Sequence, residues 1–199
     1  MANNTSSTGA GYALVGVPGV VSTTTRFTVP KLICTPTLSA GYASAIVNTS
    51  TSASAAGVEL ECSGGTAIYV GALLTNGTLT DTTFTPKAGD VIVASAAEST
   101  TAAKVTLRDV TQKKSQSAAG TGSTPVEVSD VVDALAAGSQ LPMVNFGKIA
   151  YSATEQDGKT PAKAGAKAYN QVSSSGVLQI ATGNLNAQGN AWTETFKHA

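Results

Sequence analysis

The sequence predicts an all-β fold, an antiparallel β-sandwich of the jelly-roll type. Three observations predict it. Short runs of Val, Ile, Leu, Tyr and Thr alternate with a period of two, as half-buried strands do. Clusters of Gly, Pro, Asn and Ser interrupt these runs at roughly 8–12-residue spacing, the rhythm of sandwiches and barrels. Ser and Thr together supply 48 of the 199 residues, whereas Asp, Glu, Lys and Arg supply only 12%. Soluble domains ordinarily carry about 25% charge. Hydroxyls solubilise without charge, and Thr suits the exposed face of a strand.

The elements follow in order. Residues 1–10 read as a flexible lead-in, and residues 11–199 as one domain. Residues 12–17 form the first apolar run, and 23–29 alternate up to Pro30, which ends them. Residues 43–48 and 58–62 are strands, and Ser63-Gly64-Gly65 turns the second into 67–74. Asn76-Gly77 is the strongest hairpin signal in the chain and leads into 78–85. A turn at 87–90 feeds the run 91–97, which pairs with 104–110. Later strands span 126–132, 146–152, 179–182 and 192–197. The segment 129–137 has partly helical spacing but is β-branched and stops at Gly138, so it reads as strand then loop. The polar stretch 153–168 reads as a long surface loop. Alternating helices are missing, which excludes parallel βαβ units.

Composition also bounds function. Twelve basic and twelve acidic residues cancel, leaving no phosphate-neutralising surface, so no nucleic-acid partner is expected. No run approaches the ~20 apolar residues of a membrane-spanning helix. Residues 1–11 lack the basic start and apolar core of a signal peptide, so the chain reads as a mature extracellular protein with an added Met1. Cys34 and Cys62 are the two cysteines. Free thiols and a disulfide are both open to them, and the secreted-type composition favours the disulfide. A metal site is not expected with one histidine and dispersed acids. Gly120-Thr121-Gly122 precedes no helix, so no nucleotide cofactor is expected. Asp81, Asp90 and Asp109 flank turns, where such side chains bond local backbone. Glu59 and Glu61 share a strand face and read as solvated. His198, the single histidine, sits at the penultimate position, a poor place for a general base.

Several segments, in order, resemble one family. They are Arg26-Phe27-Thr28-Val29-Pro30, Cys34-Thr35-Pro36-Thr37, the stretch Gly57-Val58-Glu59-Leu60-Glu61-Cys62-Ser63-Gly64-Gly65-Thr66-Ala67-Ile68-Tyr69, Pro86-Lys87-Ala88-Gly89-Asp90-Val91-Ile92, and Leu141-Pro142-Met143-Val144-Asn145-Phe146-Gly147. The chain resembles the eqolisins, the glutamic peptidases, and among them a divergent secreted bacterial member. The resemblance covers residues 11–152 and implies a concanavalin-like sandwich.

That family hydrolyses peptides at acid pH with a Gln/Glu pair, so the resemblance implies a carboxylate that activates water and an amide that donates to the oxyanion. Val126-Glu127-Val128-Ser129-Asp130-Val131 is similar to the glutamate strand, which makes Glu127 the candidate general base. A shifted match places Asp130 or Asp133 near that position. The family's glutamine falls on Ala55, and its cleft Trp and Glu fall on Ala72 and Leu74. A methyl group cannot donate a hydrogen bond. Ser52, Ser54, Asn48 and Gln171 are the alternative donors. The expectation is therefore an extracellular protein without classical peptidase activity that binds polypeptide or polysaccharide, or serves structurally. Two alternatives stay open: an acid-active glutamic endopeptidase with Glu127 as base, and a carbohydrate-binding module using Trp192 and the tyrosines Tyr12, Tyr42, Tyr69, Tyr151 and Tyr169.

Overall fold

A computed structural model describes residues 3–17, 19, 21–133 and 142–198. Fifteen strands and one short helix make up this part. The strands are β1 (Asn4–Ser6), β2 (Gly9–Val15), β3 (Val21–Thr28), β4 (Ser39–Thr49), β5 (Ala53–Ser63), β6 (Thr66–Thr75), β7 (Thr78–Asp81), β8 (Val91–Glu98), β9 (Ala103–Asp109), β10 (Lys114–Gly120), β11 (Pro125–Asp133), β12 (Lys148–Gln156), β13 (Lys167–Val172), β14 (Leu178–Thr182) and β15 (Trp192–Phe196). The helix α1 (Pro161–Ala164) lies between β12 and β13.

One hydrogen-bonded path runs β10-β9-β8-β3-β12-β15-β14-β13-β2-β11-β4-β5-β6-β7, with β1 parallel to β13. The path folds over at β15–β14–β13 to give two layers. β8 packs over β4 and β5, β9 over β5 and β6, and β3 over β4 and β11. The all-β sandwich expected from sequence is the observed architecture.

Alternation explains why. Every second residue of β3, β8 and β9 is buried, so each presents one apolar face to the core. Asn76 and Gly77 both have positive φ (46° and 82°), as the two-residue hairpin between β6 and β7 requires. The core holds an aromatic chain: Tyr12 meets Trp192 edge-on at 4.9 Å, Trp192 stacks on Tyr151 at 5.0 Å, and Tyr151 leans on Phe27 at 5.5 Å. Trp192, Tyr151 and Tyr12 therefore fill the core and do not form a sugar-binding face.

Several expectations change. The lead-in 1–10 carries β1 and the start of β2, and Asn3 Nδ2 donates to Thr182 O at 2.7 Å. Its Asn, Ser and Thr side chains satisfy an edge that an apolar lead-in would leave bare. The surface loop 153–168 instead continues β12 to Gln156, then forms α1 under a Thr160 cap, then starts β13. β10 went unread because its sequence, Lys-Ser-Gln-Ser-Ala-Ala-Gly, is an exposed edge without apolar alternation. The strand in 129–137 holds through Asp133, and 134–137 lie outside the described residues.

Cys34 and Cys62 form a disulfide, so the free-thiol alternative is excluded. It joins the segment before β4 to the end of β5 across 28 residues of sequence separation. In the chain-entropy model a loop of this size contributes about 3–4 kcal/mol. Replacing both cysteines by Ala is expected to lower the urea-unfolding free energy by about that amount. An unchanged midpoint would mean that β4 and β5 are already held without the crosslink.

Candidate functional site

The antiparallel register assembles one outer face from β2, β11, β4, β5, β6 and β7. Three rows of directly opposed residues cross it. Val15, Glu127, Asn48 and Ala53 form the first. Ala13, Ser129, Ile46, Ala55, Leu74 and Leu79 form the second. Gly11, Val131, Ser44, Gly57, Ala72 and Asp81 form the third. The resemblance assigned roles to Glu127, Ala55, Ala72 and Leu74, and the register brings all four to this face.

They do not share one environment. Glu127 is half-buried and lines an open cavity of about 390 Å³ with Asn48, Ser129 and Tyr169. Thr5, Ser6, Ser7 and Thr8 form the facing wall. Asn48 Nδ2 donates to Glu127 Oε1 at 2.9 Å. An amide nitrogen carries two hydrogens, so Asn48 holds the carboxylate with one and keeps the other for a guest. The cavity is polar, with hydroxyls on one side and a carboxylate–amide pair on the other.

Ala55 and Ala72 are fully buried on the same face, in a small apolar cluster with Tyr42, Ile46 and Val131, against which Leu74 packs. Tyr42 explains the closure. Its hydroxyl donates to Ala72 O at 3.2 Å, two strands away, so the ring crosses β5. At Gly57 a Cβ would lie 2.4 Å from Ala43 O and 2.7 Å from Ser44 Cβ, so β4 and β5 approach too closely there for a side chain. The small residues at 55 and 72 pack with the large Tyr42 side chain from β4. This is why β4 and β5, unlike most sandwich strands, are buried on both faces.

The other candidates divide cleanly. Asp130 points the opposite way, into the core, and is fully buried. Gln156 Nε2 donates to it at 2.9 Å, and Thr23 Oγ1 lies 2.8 Å from it. Burial pushes its carboxyl up to about 7 despite these two contacts. Asp133 is the last residue of β11. Of the alternative donors only Asn48 reaches Glu127. Ser52 and Ser54 bond Asn76, and Gln171 is buried on β13. Asp90 and Asp109 accept from the backbone of Lys87 and Gln112, as turn aspartates should. Glu59 is half-buried, not solvated. Burial raises its carboxyl, and Asp81 and Glu61 add to the rise. His198 is exposed. A second hollow, of about 620 Å³ beside Pro30, Lys31, Gly89 and Lys148, is lined by no acid or amide side chain.

Two features of the site went unread in the sequence. The Thr5–Thr8 wall looked like a flexible hydroxyl-rich lead-in. The pairing of Asn48 with Glu127 depends on register between strands far apart in sequence. The only local hint was that both are polar residues inside β-branched runs.

No family model matches the sequence, and no curated protein matches it. Solved structures do. Scytalido-glutamic peptidase, crystallised with a transition state analog inhibitor, superposes with a TM-score of 0.80 at 15% identity, over 96% of this chain and 98% of that one. SCP-B, a member of the eqolisin family of peptidases in a complex with the tripeptide Ala-Ile-His, gives 0.76 at 16% identity, over 96% and 98%. Aspergilloglutamic peptidase from Aspergillus niger gives 0.66 at 18% identity, over 80% and 99%. At these identities the likeness is one of fold, and it is the fold that the sequence motifs implied.

The closure over Ala55 has a direct test. An Ala55→Gln substitution is expected to destabilise by about 1–3 kcal/mol in urea unfolding, because the longer side chain overpacks the cluster and buries an amide. A neutral effect would show that position 55 opens to solvent.

Proposed function

We propose that this chain is an extracellular polypeptide-binding protein on the glutamic-peptidase fold, without the hydrolytic pair of that fold's peptidases. One observation carries the reading: the position that resembles the family's glutamine is Ala55, fully buried among Tyr42, Ile46 and Ala72. An oxyanion formed over that position would find no donor, and loss of one such donor typically costs about 100–1000-fold in rate. What the face keeps is the neighbouring polar groove. The carboxylate of Glu127 accepts hydrogen bonds, while the spare amide hydrogen of Asn48 and the Thr5–Thr8 hydroxyls donate them. An extended peptide offers alternating N–H and C=O groups that such a groove satisfies. The fold neighbour SCP-B is in a complex with a tripeptide, a chemical precedent for such binding. The disulfide supports an oxidising, extracellular setting.

A second reading has its own observation. Asn48 lies 2.9 Å from Glu127, so an amide and a carboxylate do meet, one row away from Ala55. In that reading Glu127 takes a proton from water, and the free Asn48 hydrogen stabilises the oxyanion.

The two readings part in one experiment. An unfolded polypeptide is titrated into the protein calorimetrically, and the same mixture is followed for cleavage near pH 4, where exposed carboxylates half-titrate. Binding without cleavage, weakened about tenfold or more by Glu127→Gln and by Asn48→Ala, is the expected result. Cleavage that Glu127→Gln abolishes overturns the proposal in favour of hydrolysis. Binding that neither substitution alters would place the polypeptide elsewhere on the surface.

A further inference from the structure

Two buried carboxyls lie outside the groove and share an uncommon arrangement. Glu194 on β15 is fully buried, and Trp192 Nε1 donates to its Oε1. Its Oε2 lies 2.9 Å from Thr182 Oγ1. The same Thr182 hydroxyl makes a close hydrogen bond with the carbonyl oxygen of Tyr169. Asp130 repeats the pattern. Thr23 Oγ1 lies 2.9 and 2.8 Å from its two oxygens, and 3.2 Å from the carbonyl oxygen of Glu155.

A hydroxyl has one proton to donate. A backbone carbonyl can only accept, and so can an ionised carboxylate. Each threonine therefore stands between two acceptors with a single hydrogen. If the threonine donates to the carbonyl, its contact with the carboxyl becomes a hydrogen bond only when the carboxyl brings its own proton. An ionised carboxyl would instead leave one contact as two facing lone pairs in a dry interior, a costly state.

Nothing charged compensates either site among the described residues. Around Asp130, β3 presents Thr23, β12 presents Gln156, β2 presents the carbonyl of Tyr12, and β4 presents Ala45. Around Glu194, β14 presents Thr182, β12 presents Ile149, and β2 presents Tyr12, the one titratable neighbour. Tyr12 is itself raised by burial, so it faces Glu194 as a neutral phenol.

Both sites lie where the layers join. Thr182 and Tyr169 clip β14 to β13, beside the fold-over between layers. Thr23 and Gln156 clip β11 to β3 and β12. Tyr169 also lines the Glu127 groove. We propose that Glu194 and Asp130 form a proton-operated latch: as neutral acids they close the junction between the layers, and their ionisation loosens the clips they hold, β11 to β3 and β12 at Asp130, and β13 to β14 with the Tyr169 wall of the groove at Glu194. Burial raises Glu194 to about 8 and Asp130 to about 7, outweighing the lowering by the side chains that contact them.

The sign follows from proton linkage. Both carboxyls titrate near 4 in the unfolded chain and higher in the folded one, so between those values the folded state holds the extra protons. Stability is complete below the unfolded value and is lost as pH rises through the folded ones. The test is unfolding of the full chain across about pH 5 to 8, together with residue-specific NMR titration of the two carboxyl carbons. The folding constant is expected to fall by up to about tenfold per pH unit for each carboxyl. Asp130→Asn with Glu194→Gln is expected to flatten that slope, and amide exchange is expected to quicken as pH rises at the Asp130 contacts in β11, β3 and β12 and then in β13 and β14. A flat or rising wild-type profile, or an unchanged slope in the double variant, overturns the proposal. Should the variant fail to fold, the wild-type titration decides: carboxyl midpoints in the ordinary range near 4 overturn it, and midpoints near 7 and 8 support it.

Discussion

Tyr151 is the tie on which the arrangement of the two layers depends. It projects from β12, is 1% exposed, and donates its hydroxyl to Val131 O on β11 at 2.7 Å. Its ring is stacked on Trp192 and leans on Phe27. A buried phenol must find a partner, and here the partner is the backbone of the strand that carries Glu127. The bond fixes β11 at Val131, between the core-facing Asp130 and Val132. Strand alternation then sends Glu127, Ser129 and Val131 to the outer face and Val128, Asp130 and Val132 to the core. A slip of one residue would exchange Glu127 for Val128 in the groove and bury a charge in the sandwich.

Given that register, size decides what the outer face can do. Gly11, Ala13, Ser44, Ala55, Gly57 and Ala72 are all small, and left alone they would form an open trough. Tyr42 and Ile46 fill part of it, and the polar groove lies beside them over β2, β11 and β4, where β1 and the hydroxyl segment after it supply the second wall. Position 55 carries a buried methyl, and the amide that reaches Glu127 is that of Asn48, its direct cross-strand partner. The backbone underneath superposes on the glutamic peptidases.

The fold was legible because its determinants are local. Alternation in β3, β8 and β9, the Asn76-Gly77 turn and the cysteine pair each declare themselves within a few residues. Edge strands were not legible. β1 and β10 lack apolar alternation because an edge faces water on several sides, so their pattern matches that of a loop. The site was legible only in part. The motifs pointed to Glu127 and Ala55 as candidates, but the meeting of Glu127 with Asn48 and the reach of Tyr42 to Ala72 are products of register across 79 and 30 residues of sequence. Asp130, which a shifted match placed near the candidate base, lies three residues beyond Glu127, and strand alternation turns it into the core.

The scarce and balanced charge of the sequence bears on how the latch meets acid. As pH falls, exposed carboxylates protonate and the 12 basic residues are left unopposed, so the chain becomes cationic and its self-repulsion grows. The two core acids respond in the opposite sense, because protonation closes the junction they guard. The effects differ in range. Surface repulsion acts through water and is screened over about 8 Å at physiological salt, whereas the threonine–carboxyl contacts are short, buried and insensitive to salt. Stability should therefore peak where the core acids are neutral and the surface carboxylates are still charged, between the ordinary carboxylate range near 4 and about 7. Added salt extends that maximum to lower pH and leaves its upper edge in place. The upper edge belongs to the buried carboxyls and the lower edge to the surface, so an apparently featureless charge balance acquires two separable physical origins.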